Sequence, residues 1–172
     1  MSWSVMRRAA ALSENLPLPA GQVVGVVAIV VLDRVFPKSL PGPRGLQRAA
    51  GAAALAVGCA LNVWALRERR RRTTGEFQLE QPQSLVTTGP YAMSRHPMYV
   101  GWWFIHLGVG AMRGSAWMAA TLVAAVLVEH LGVLAEERAL DSEFGAEFAE
   151  YRERVPRYLG PWRSRAAARP TS

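Results

Sequence analysis

A polar segment at the edge of an apolar stretch is the first place in this sequence where chemistry is expected. Residues 89–101 read GPYAMSRHPMYVG, which puts Arg95, His96 and two tyrosines at the mouth of a hydrophobic segment. A second stretch, Glu136-Glu137-Arg138, is mostly acidic and complements the first. Charged and hydrogen-bonding groups beside apolar surface suit a polar ligand. Together the two stretches predict a cofactor site in a small membrane enzyme.

Four apolar segments must position these groups. They lie at residues 18–36, 46–66, 98–112 and 116–135, and a bilayer requires ~20 residues per helix. The third and fourth form a helical hairpin around the turn Arg113-Gly114-Ser115. The predicted fold is all-α, a polytopic membrane bundle of about four helices in one domain, residues 1–172. Within it we expect N-terminal helices to residue 66, a basic cytoplasmic loop at 67–96, the hairpin and arm at 97–162, and a flexible tail at 163–172.

The chain continues at helical period beyond the fourth segment. Its apolar stripe is interrupted at Gly145 and ends at Pro156, and it comprises Leu140, Phe144, Phe148, Tyr151 and Val155. Charged residues occupy the other faces. This pattern predicts an amphipathic cytoplasmic arm that folds back over the membrane mouth. Residues 1–14, which mix apolar side chains with two arginines, predict a short interfacial helix.

Charge and composition limit the class of protein to which this chain can belong. Hydrophobic residues make up 51% of the 172 residues, and the formal net charge is +7. The basic residues gather between apolar segments, as in cytoplasmic loops, so no nucleic-acid partner is predicted. This rule places both termini in the cytoplasm and the Arg113 turn outside, although Lys38, Arg44 and Arg48 in the first loop argue weakly against it. The single cysteine, Cys59, excludes an intrachain disulfide.

Several side chains are costly inside a bilayer. Glu129 and His130 fall within the fourth segment, and His106 shares a face of the third with Tyr99 and Trp103. Ionisable residues at that depth usually face the bundle interior and serve a function. On an ideal helix, Glu129 aligns with Glu136 two turns away. The three histidines lack metal-ligand spacing, so no metal site is predicted.

These motifs, taken in order, resemble those of the isoprenylcysteine carboxyl methyltransferase family and its phospholipid methyltransferase relatives. The matching residues lie between about 85 and 161 and comprise Gly89-Pro90-Tyr91, Arg95-His96-Pro97-Met98-Tyr99-Val100-Gly101, Glu136-Glu137, Phe144-Gly145, Tyr151 and Val155-Pro156. The resemblance implies an integral enzyme of the cytoplasmic membrane that uses S-adenosylmethionine and releases S-adenosylhomocysteine. It also implies a cofactor site on the cytoplasmic side beneath the arm, and a lipidic acceptor that approaches from the bilayer.

The resemblance and the chemistry of the cofactor together give a set of candidate residues. Arg95 and His96 suit the cofactor carboxylate, because charge-assisted hydrogen bonds are strong. Glu136 or Glu137 suits the ammonium or the ribose diol, and tyrosine rings suit the adenine or the sulfonium. The cofactor-binding candidates are Tyr91, Arg95, His96, Pro97, Tyr99, Gly101, Glu136, Glu137 and Tyr151.

The methyl acceptor stays open. Methyl transfer is an in-line displacement, so the enzyme must align the reacting atoms and exclude water. A carboxylate acceptor needs no base, and Arg152 or Arg154 would orient it. A thiol, amine or hydroxyl benefits from a base, for which Glu137 and His130 are candidates. The expected acceptor is therefore lipophilic or small, with membrane lipids as partners. The catalytic candidates are Glu137, Arg154 and His130.

Two other functions compete with methyl transfer. The first is an NADPH-dependent membrane reductase of the sterol-reductase kind, whose architecture is related. The second is a non-enzymatic membrane subunit, in which Arg95-His96-Pro97 is only an interfacial anchor and helix start, and the acidic pair is a solvated helix end.

Overall fold

The computed structural model describes residues 19–72 and 84–160. Five α-helices occupy these ranges: α1 (Ala20–Val35), α2 (Arg44–Arg72), α3 (Pro97–Arg113), α4 (Trp117–Phe144) and α5 (Ala146–Arg154), with a 3-10 helix at Gly89–Ala92 before α3. Across the described ranges, extended pairing is limited to an isolated bridge between Ser39 and Ser115. The all-α prediction is confirmed. The expected helix at 1–14, the expected tail at 163–172 and residues 73–83 of the expected loop lie outside the described residues.

The helix ends differ from the expected ones mainly after the second apolar segment. A loop was expected from residue 67, but α2 continues as helix to Arg72. Arginine and glutamate are good helix formers, and Glu68 lies 3.8 Å from Arg72 one turn later. The basic run therefore extends the helix beyond its apolar part. The other predicted boundaries agree: Pro97 opens α3, and Gly114, with φ of 65°, caps it.

Helices α2 and α3 pack against each other through glycines. A Cβ built on Gly58 would lie 2.5 Å from the carbonyl oxygen of Gly101, and one built on Gly51 would lie 2.8 Å from that of Gly108. Small residues let two backbones approach this closely. The sequence predicts a packing face of small residues that recurs every four positions, at Ala50, Ala54, Gly58 and Asn62. Gly58 lies at the contact as predicted, whereas Ala50 is exposed. The contact face of α2 thus begins one residue later than expected.

Helix α1 packs mainly against α4 and turns Gln22, Gly25 and Ile29 inward. Large apolar side chains cover the outer faces of both helices, among them Val24, Val27, Val31, Leu127, Val128 and Leu131. On length and composition, α2 and α4 are each able to cross a membrane. Helices α1 and α3, at 16 and 17 residues, are shorter. The exposed apolar faces suit contact with lipid.

Two turns meet at one end of the bundle. The backbone N–H of Ala116 donates to the carbonyl of Lys38 at 2.9 Å, and the Ser115 hydroxyl donates to Asp33 at 2.5 Å. The indole of Trp117 donates to the carbonyl of Phe36 at 2.7 Å. The α1–α2 turn and the α3–α4 turn therefore share one end. The basic end of α2, the start of α3 and the end of α4 lie at the other.

The C-terminal arm forms a small core of its own. Phe148 and Tyr151 on α5 and Val155 after it are buried, and they pack against Leu85, Leu140 and Phe144. Gly145, with φ of 49°, separates α4 from α5, where the sequence predicted an interruption. These contacts cover the apolar stripe of α5.

Candidate functional site

A buried carboxylate, that of Glu137 on α4, lies at the centre of the site. Its Oε1 atom is 2.8 Å from a terminal guanidinium nitrogen of Arg95 and 3.2 Å from Nε2 of His96. Arg157, which follows α5, donates to Oε2 at 2.7 Å and also through its Nε at 3.1 Å. We call these four residues the Glu137 cluster. It joins three separate parts of the chain around one acid.

Backbone hydrogen bonds fix the geometry of the cluster. The N–H groups of Arg95 and His96 donate to the carbonyls of Pro156 and Arg157 at 2.9 and 3.1 Å. The Arg95 guanidinium also donates to the carbonyls of Arg152 and Val155 at 3.0 and 2.9 Å. Because α5 ends before Pro156, the Pro156 carbonyl is free to accept the bond from the Arg95 N–H. The start of α3 is thus tied to the end of the arm.

The charge state of Glu137 follows from its neighbours. It lies beyond the apolar segment that ends at residue 135, and its side chain is 7% exposed. Burial alone would raise the pKa of Glu137, but hydrogen bonds from His96, Arg157 and Arg95 outweigh burial and hold it well below the ordinary glutamate value. At neutral pH the Glu137 cluster therefore contains an anion among cationic and hydrogen-bonding groups.

A cleft of about 350 Å³ opens beside the Glu137 cluster, between α4 and the arm. Its walls carry charges of both signs and comprise Leu134, Glu137, Arg138, Asp141, Arg152 and Arg157. A ligand that bears both an ammonium and a carboxylate finds partners for each charge there. The donor set therefore fits the amino-acid part of the cofactor that the sequence predicted.

Aromatic rings line the inner side of the cluster. The Tyr158 ring lies 4.8 Å from that of Trp103 and 6.1 Å from that of His96, measured between centroids. Its hydroxyl is 3.0 Å from Nδ1 of His130. The Tyr99 ring meets His96 edge to face at 5.8 Å. These rings form a wall that leads from the Glu137 cluster into the bundle.

The structure brings some of the predicted residues together at this site. Arg95, His96 and Glu137 are in direct contact, as described above. Glu136 lies at the rim, with its side chain 42% exposed and Oε2 3.6 Å from Nδ1 of His96. Tyr99 and His130 belong to the aromatic wall, where the Tyr99 ring contacts His96 and the His130 ring lies beside Tyr158. These six are the predicted candidates that the fold gathers.

Other predicted residues have contacts elsewhere. The Tyr151 hydroxyl donates to the carbonyl of Tyr91 at 2.7 Å, and the Tyr91 hydroxyl meets the sulfur of Met98 at 3.3 Å. Burial raises the pKa of Tyr91 to about 12, so the phenol stays neutral. Pro97 starts α3, and Gly101 lies at the crossing with α2. In the described structure, these four residues pack and position the elements that carry the site.

The catalytic candidate Arg154 is exposed on α5. Its Nε donates to the carbonyl of Glu150 at 3.4 Å, and its guanidinium lies 3.9 Å from the Glu150 carboxylate. It does not line the cleft beside Glu137. Arg152, the other candidate for orienting an acceptor, does line that cleft and lies 3.9 Å from Asp141.

Sequence reasoning missed Arg157 and Tyr158. Both follow Pro156, where the amphipathic pattern ends, so periodicity gave no reason to examine them. The available signal was a basic and an aromatic residue directly after a helix-ending proline. Among residues 19–72 and 84–160, no three His, Cys, Asp or Glu side chains are grouped to hold a metal ion.

Comparison with known proteins agrees with the predicted resemblance. A sequence profile described as phospholipid methyltransferase matches residues 46–147. The nickel-cobalt-cadmium resistance protein NccN of Alcaligenes xylosoxydans xylosoxydans is 42% identical over 75 residues, which are 44% of this chain and 35% of that protein. Human protein-S-isoprenylcysteine O-methyltransferase is 36% identical over 74 residues, 42% of this chain and 26% of that protein. The matches thus span about a third of these relatives or less.

The fold is shared with a solved structure. The eukaryotic intramembrane Ras methyltransferase ICMT superposes with a TM-score of 0.57 at 23% identity, covering 90% of this chain and 52% of that one. At this identity the likeness concerns the fold. Since the family profile covers more than half of the sequence, the chain belongs to the phospholipid methyltransferase family, as the ordered motifs around Arg95 and Glu137 predicted.

Proposed function

We propose that the protein is an integral membrane methyltransferase that uses S-adenosylmethionine and methylates a lipophilic or small acceptor. The observation that carries the proposal is the cleft beside Glu137, whose walls present both acidic and basic side chains. Family membership and the names of the methyltransferase relatives support it. S-adenosylmethionine would supply an electrophilic methyl group carried on a sulfonium.

Within the cleft, the residues divide by charge. Glu137 and Asp141 would hold the cofactor ammonium, and Arg138 and Arg157 would hold its carboxylate. Glu137 keeps its negative charge because Arg95, His96 and Arg157 stabilise it. The Glu137 cluster therefore serves binding and orientation. Its lowered pKa makes Glu137 a weak base, so we assign it no proton transfer.

If the methyl acceptor loses a proton in the reaction, a residue other than Glu137 would take up that proton. His130 lies on the inner side of the aromatic wall, with Nδ1 3.0 Å from the Tyr158 hydroxyl. The Tyr158 ring separates it from His96 and the Glu137 cluster. This position places His130 between the proposed cofactor site and the bundle interior. It remains the catalytic candidate best placed for proton transfer.

The proposed site faces the cytoplasm, where the cofactor is available. It lies at the same end of the bundle as the basic run at the end of α2, residues 67–72. Basic segments next to apolar helices favour the cytoplasmic side of the cytoplasmic membrane. The acceptor would enter from the bilayer between helices, and the aromatic wall would exclude water.

Titration calorimetry of the detergent-purified protein tests this function. We expect heat from S-adenosylmethionine and S-adenosylhomocysteine, and none from NADPH. His96→Ala and Glu137→Gln should each weaken S-adenosylhomocysteine binding about tenfold or more, the size expected for a lost charged hydrogen bond. No heat with either methylation cofactor, or heat with NADPH alone, would overturn the proposal.

A milder variant tests the cleft without disturbing the Glu137 cluster. Arg138 lines the cleft, and among the described residues its Nε donates to the carbonyl of Leu134, one turn earlier on α4. Arg138→Gln should weaken S-adenosylhomocysteine binding a few-fold, whereas Arg34→Gln, an exposed arginine on α1, should not. Equal binding by Arg138→Gln and the parent would place the cofactor outside this cleft.

A further inference from the structure

The end of α2 carries an exposed cationic face that lies outside the cleft beside Glu137. The run of five arginines and one acid at residues 67–72 continues the helix directly after its apolar part. Arg67 and Arg71 are both exposed and lie one turn apart, so their side chains leave the helix on the same side. Among the described residues, neither forms an ion pair. We call these two residues the arginine pair.

The single acid of the run, Glu68, is directed away from the arginine pair. Its Oε1 accepts a hydrogen bond from the Thr88 hydroxyl at 2.5 Å and lies 3.8 Å from Nε of Arg72. The Glu68 side chain is 12% exposed, because it packs against the loop that leads to α3. The charge of the arginine pair is therefore left for a partner outside the described chain.

The arginine pair lies on the face of α2 that points away from the bundle. Buried Gly58 and Ala65 mark the face of α2 that packs on the rest of the chain. Arg67 follows Ala65 by two residues, which is about 200° around the helix, so it lies on the opposite side. Val63 and Trp64, one turn earlier, are exposed. The outward face of α2 thus changes from apolar to cationic within one turn.

This change of polarity occurs at the level of lipid head groups. Exposed tryptophans of membrane proteins concentrate at the interface between acyl chains and water, which is the level that Trp64 marks. Arg67 and Arg71 lie about 5 and 10 Å beyond Trp64 along the helix axis. The head-group layer of one leaflet is about 5–8 Å thick. The arginine pair therefore lies level with the lipid phosphates.

We propose that the arginine pair binds the phosphate of an anionic phospholipid, whose acyl chains lie against Val63 and Trp64. A guanidinium matches phosphate oxygens with paired, charge-assisted hydrogen bonds. A lipid with a net negative charge is preferred over a zwitterionic one, because the cation of a zwitterionic head group is repelled by the arginines. The surface is separate from the cleft beside Glu137, and its lipid binding does not depend on methyl transfer.

Native mass spectrometry of the detergent-purified protein tests this lipid surface. The probes are dioleoyl phosphatidylglycerol and dioleoyl phosphatidylcholine, which share their acyl chains and phosphate and differ in net charge. The populations of lipid-bound protein give a dissociation constant for each lipid. We expect phosphatidylglycerol to bind the parent at least tenfold more tightly, since each arginine near a lipid surface contributes a preference of about fivefold. Equal affinity for the two lipids would overturn the proposal.

Two double variants with the same loss of charge assign the preference to the arginine pair. Arg67→Gln/Arg71→Gln should reduce the preference for phosphatidylglycerol to about threefold or less. Arg34→Gln/Arg48→Gln removes two exposed arginines at the other end of the bundle and should leave the parental preference unchanged within about twofold. Equal losses in both variants would show that net charge sets the preference. That result, or a parental preference in Arg67→Gln/Arg71→Gln, would overturn the assignment.

A soluble phosphate distinguishes a lipid surface from a site for a free anion. sn-Glycerol 3-phosphate, which has no acyl chains, should not displace phosphatidylglycerol from the parent at an equal concentration, because it makes no contact with Val63 or Trp64. Displacement would overturn the lipid assignment. This competition and the parental preference use no variant, so they decide even if Arg67→Gln/Arg71→Gln fails to fold. Cofactor binding is measured in neither, so the proposed function is tested separately.

Discussion

The Arg95 guanidinium lies 2.8 Å from the Glu137 carboxylate, although 42 residues separate them in the sequence. Both side chains are more than nine-tenths buried. Another nitrogen of Arg95 donates to the carbonyls of Arg152 and Val155. One side chain thus connects the start of α3, the end of α4 and the arm. The pair contributes to the fold and to the proposed site at once.

Removing the charge of Glu137 should therefore destabilise the protein as well as weaken cofactor binding. Glu137→Gln leaves two guanidinium groups without their acid, and breaking a buried ion pair costs on the order of 3 kcal/mol. Glu143→Gln, which is exposed on the same helix, should change the free energy of unfolding by less than about 0.5 kcal/mol. Unfolding in mixed micelles titrated with a denaturing detergent measures both. Equal losses for the two variants would contradict the prediction.

Acid should remove the contribution of Glu137. Its pKa is lower in the folded state than in the unfolded state, so below the ordinary glutamate pKa the unfolded state binds more protons. Stability therefore rises with pH in this window; the contribution begins to fall below roughly pH 5 and keeps falling as the pH drops toward the folded-state pKa. The difference in unfolding free energy between the parent and Glu137→Gln should shrink across this window. A difference that stays constant with pH would rule out this linkage.

The crossing of α2 and α3 should not tolerate a side chain at Gly101. A Cβ there would collide with the Asn62 amide and meet the carbonyl oxygen of Gly58 at 3.0 Å. We expect Gly101→Ala to lower the free energy of unfolding by about 2 kcal/mol. Among the residues that the structure describes, none has an atom within 4 Å of a Cβ built on Gly132 in α4, the helix's own backbone aside, so Gly132→Ala should be neutral or stabilising. The same micelle unfolding assay compares them, and a stable Gly101→Ala would show that the helices can separate there.

The α1–α2 turn and the α3–α4 turn lie at the same end of the bundle, so we expect both turns on the outer side of the membrane. In a Cys59→Ala background, a membrane-impermeant maleimide applied to intact cells should label Lys38→Cys and not Ser142→Cys. Lys38 is exposed beside the Arg113 turn, whereas Ser142 is exposed at the end that carries the proposed site. The hydrogen bonds between the two turns place Lys38 on the same side as the Arg113 turn. The basic residues near Lys38 favour the cytoplasmic side instead, and we expect the hydrogen bonds to decide. Labelling of Ser142→Cys alone would show that the protein has the opposite orientation.

The sequence by itself determined the helices and the polar motifs. Apolar runs, Pro97, Gly114 and Gly145 act locally, through hydropathy and backbone geometry, so their positions were readable without a structure. The pairing of the Arg95 segment with Glu137 was also predicted, because opposite charges beside apolar helices need partners. The end of α2 was misread because a charged run was taken as a loop, although arginine and glutamate favour helix.

Only the tertiary structure decided which distant groups meet. Arg157 and Tyr158 join the site because the arm folds back over α4, and no local pattern marks that return. The Tyr151 hydroxyl donates to the carbonyl of Tyr91, whereas the Tyr91 ring packs with Ala65 and Met98. The contact between Gln22 and Glu129 spans 107 residues and exists because α1 packs on α4. Periodicity fixes the face of one helix, whereas the partner of that face is set by packing across the whole bundle.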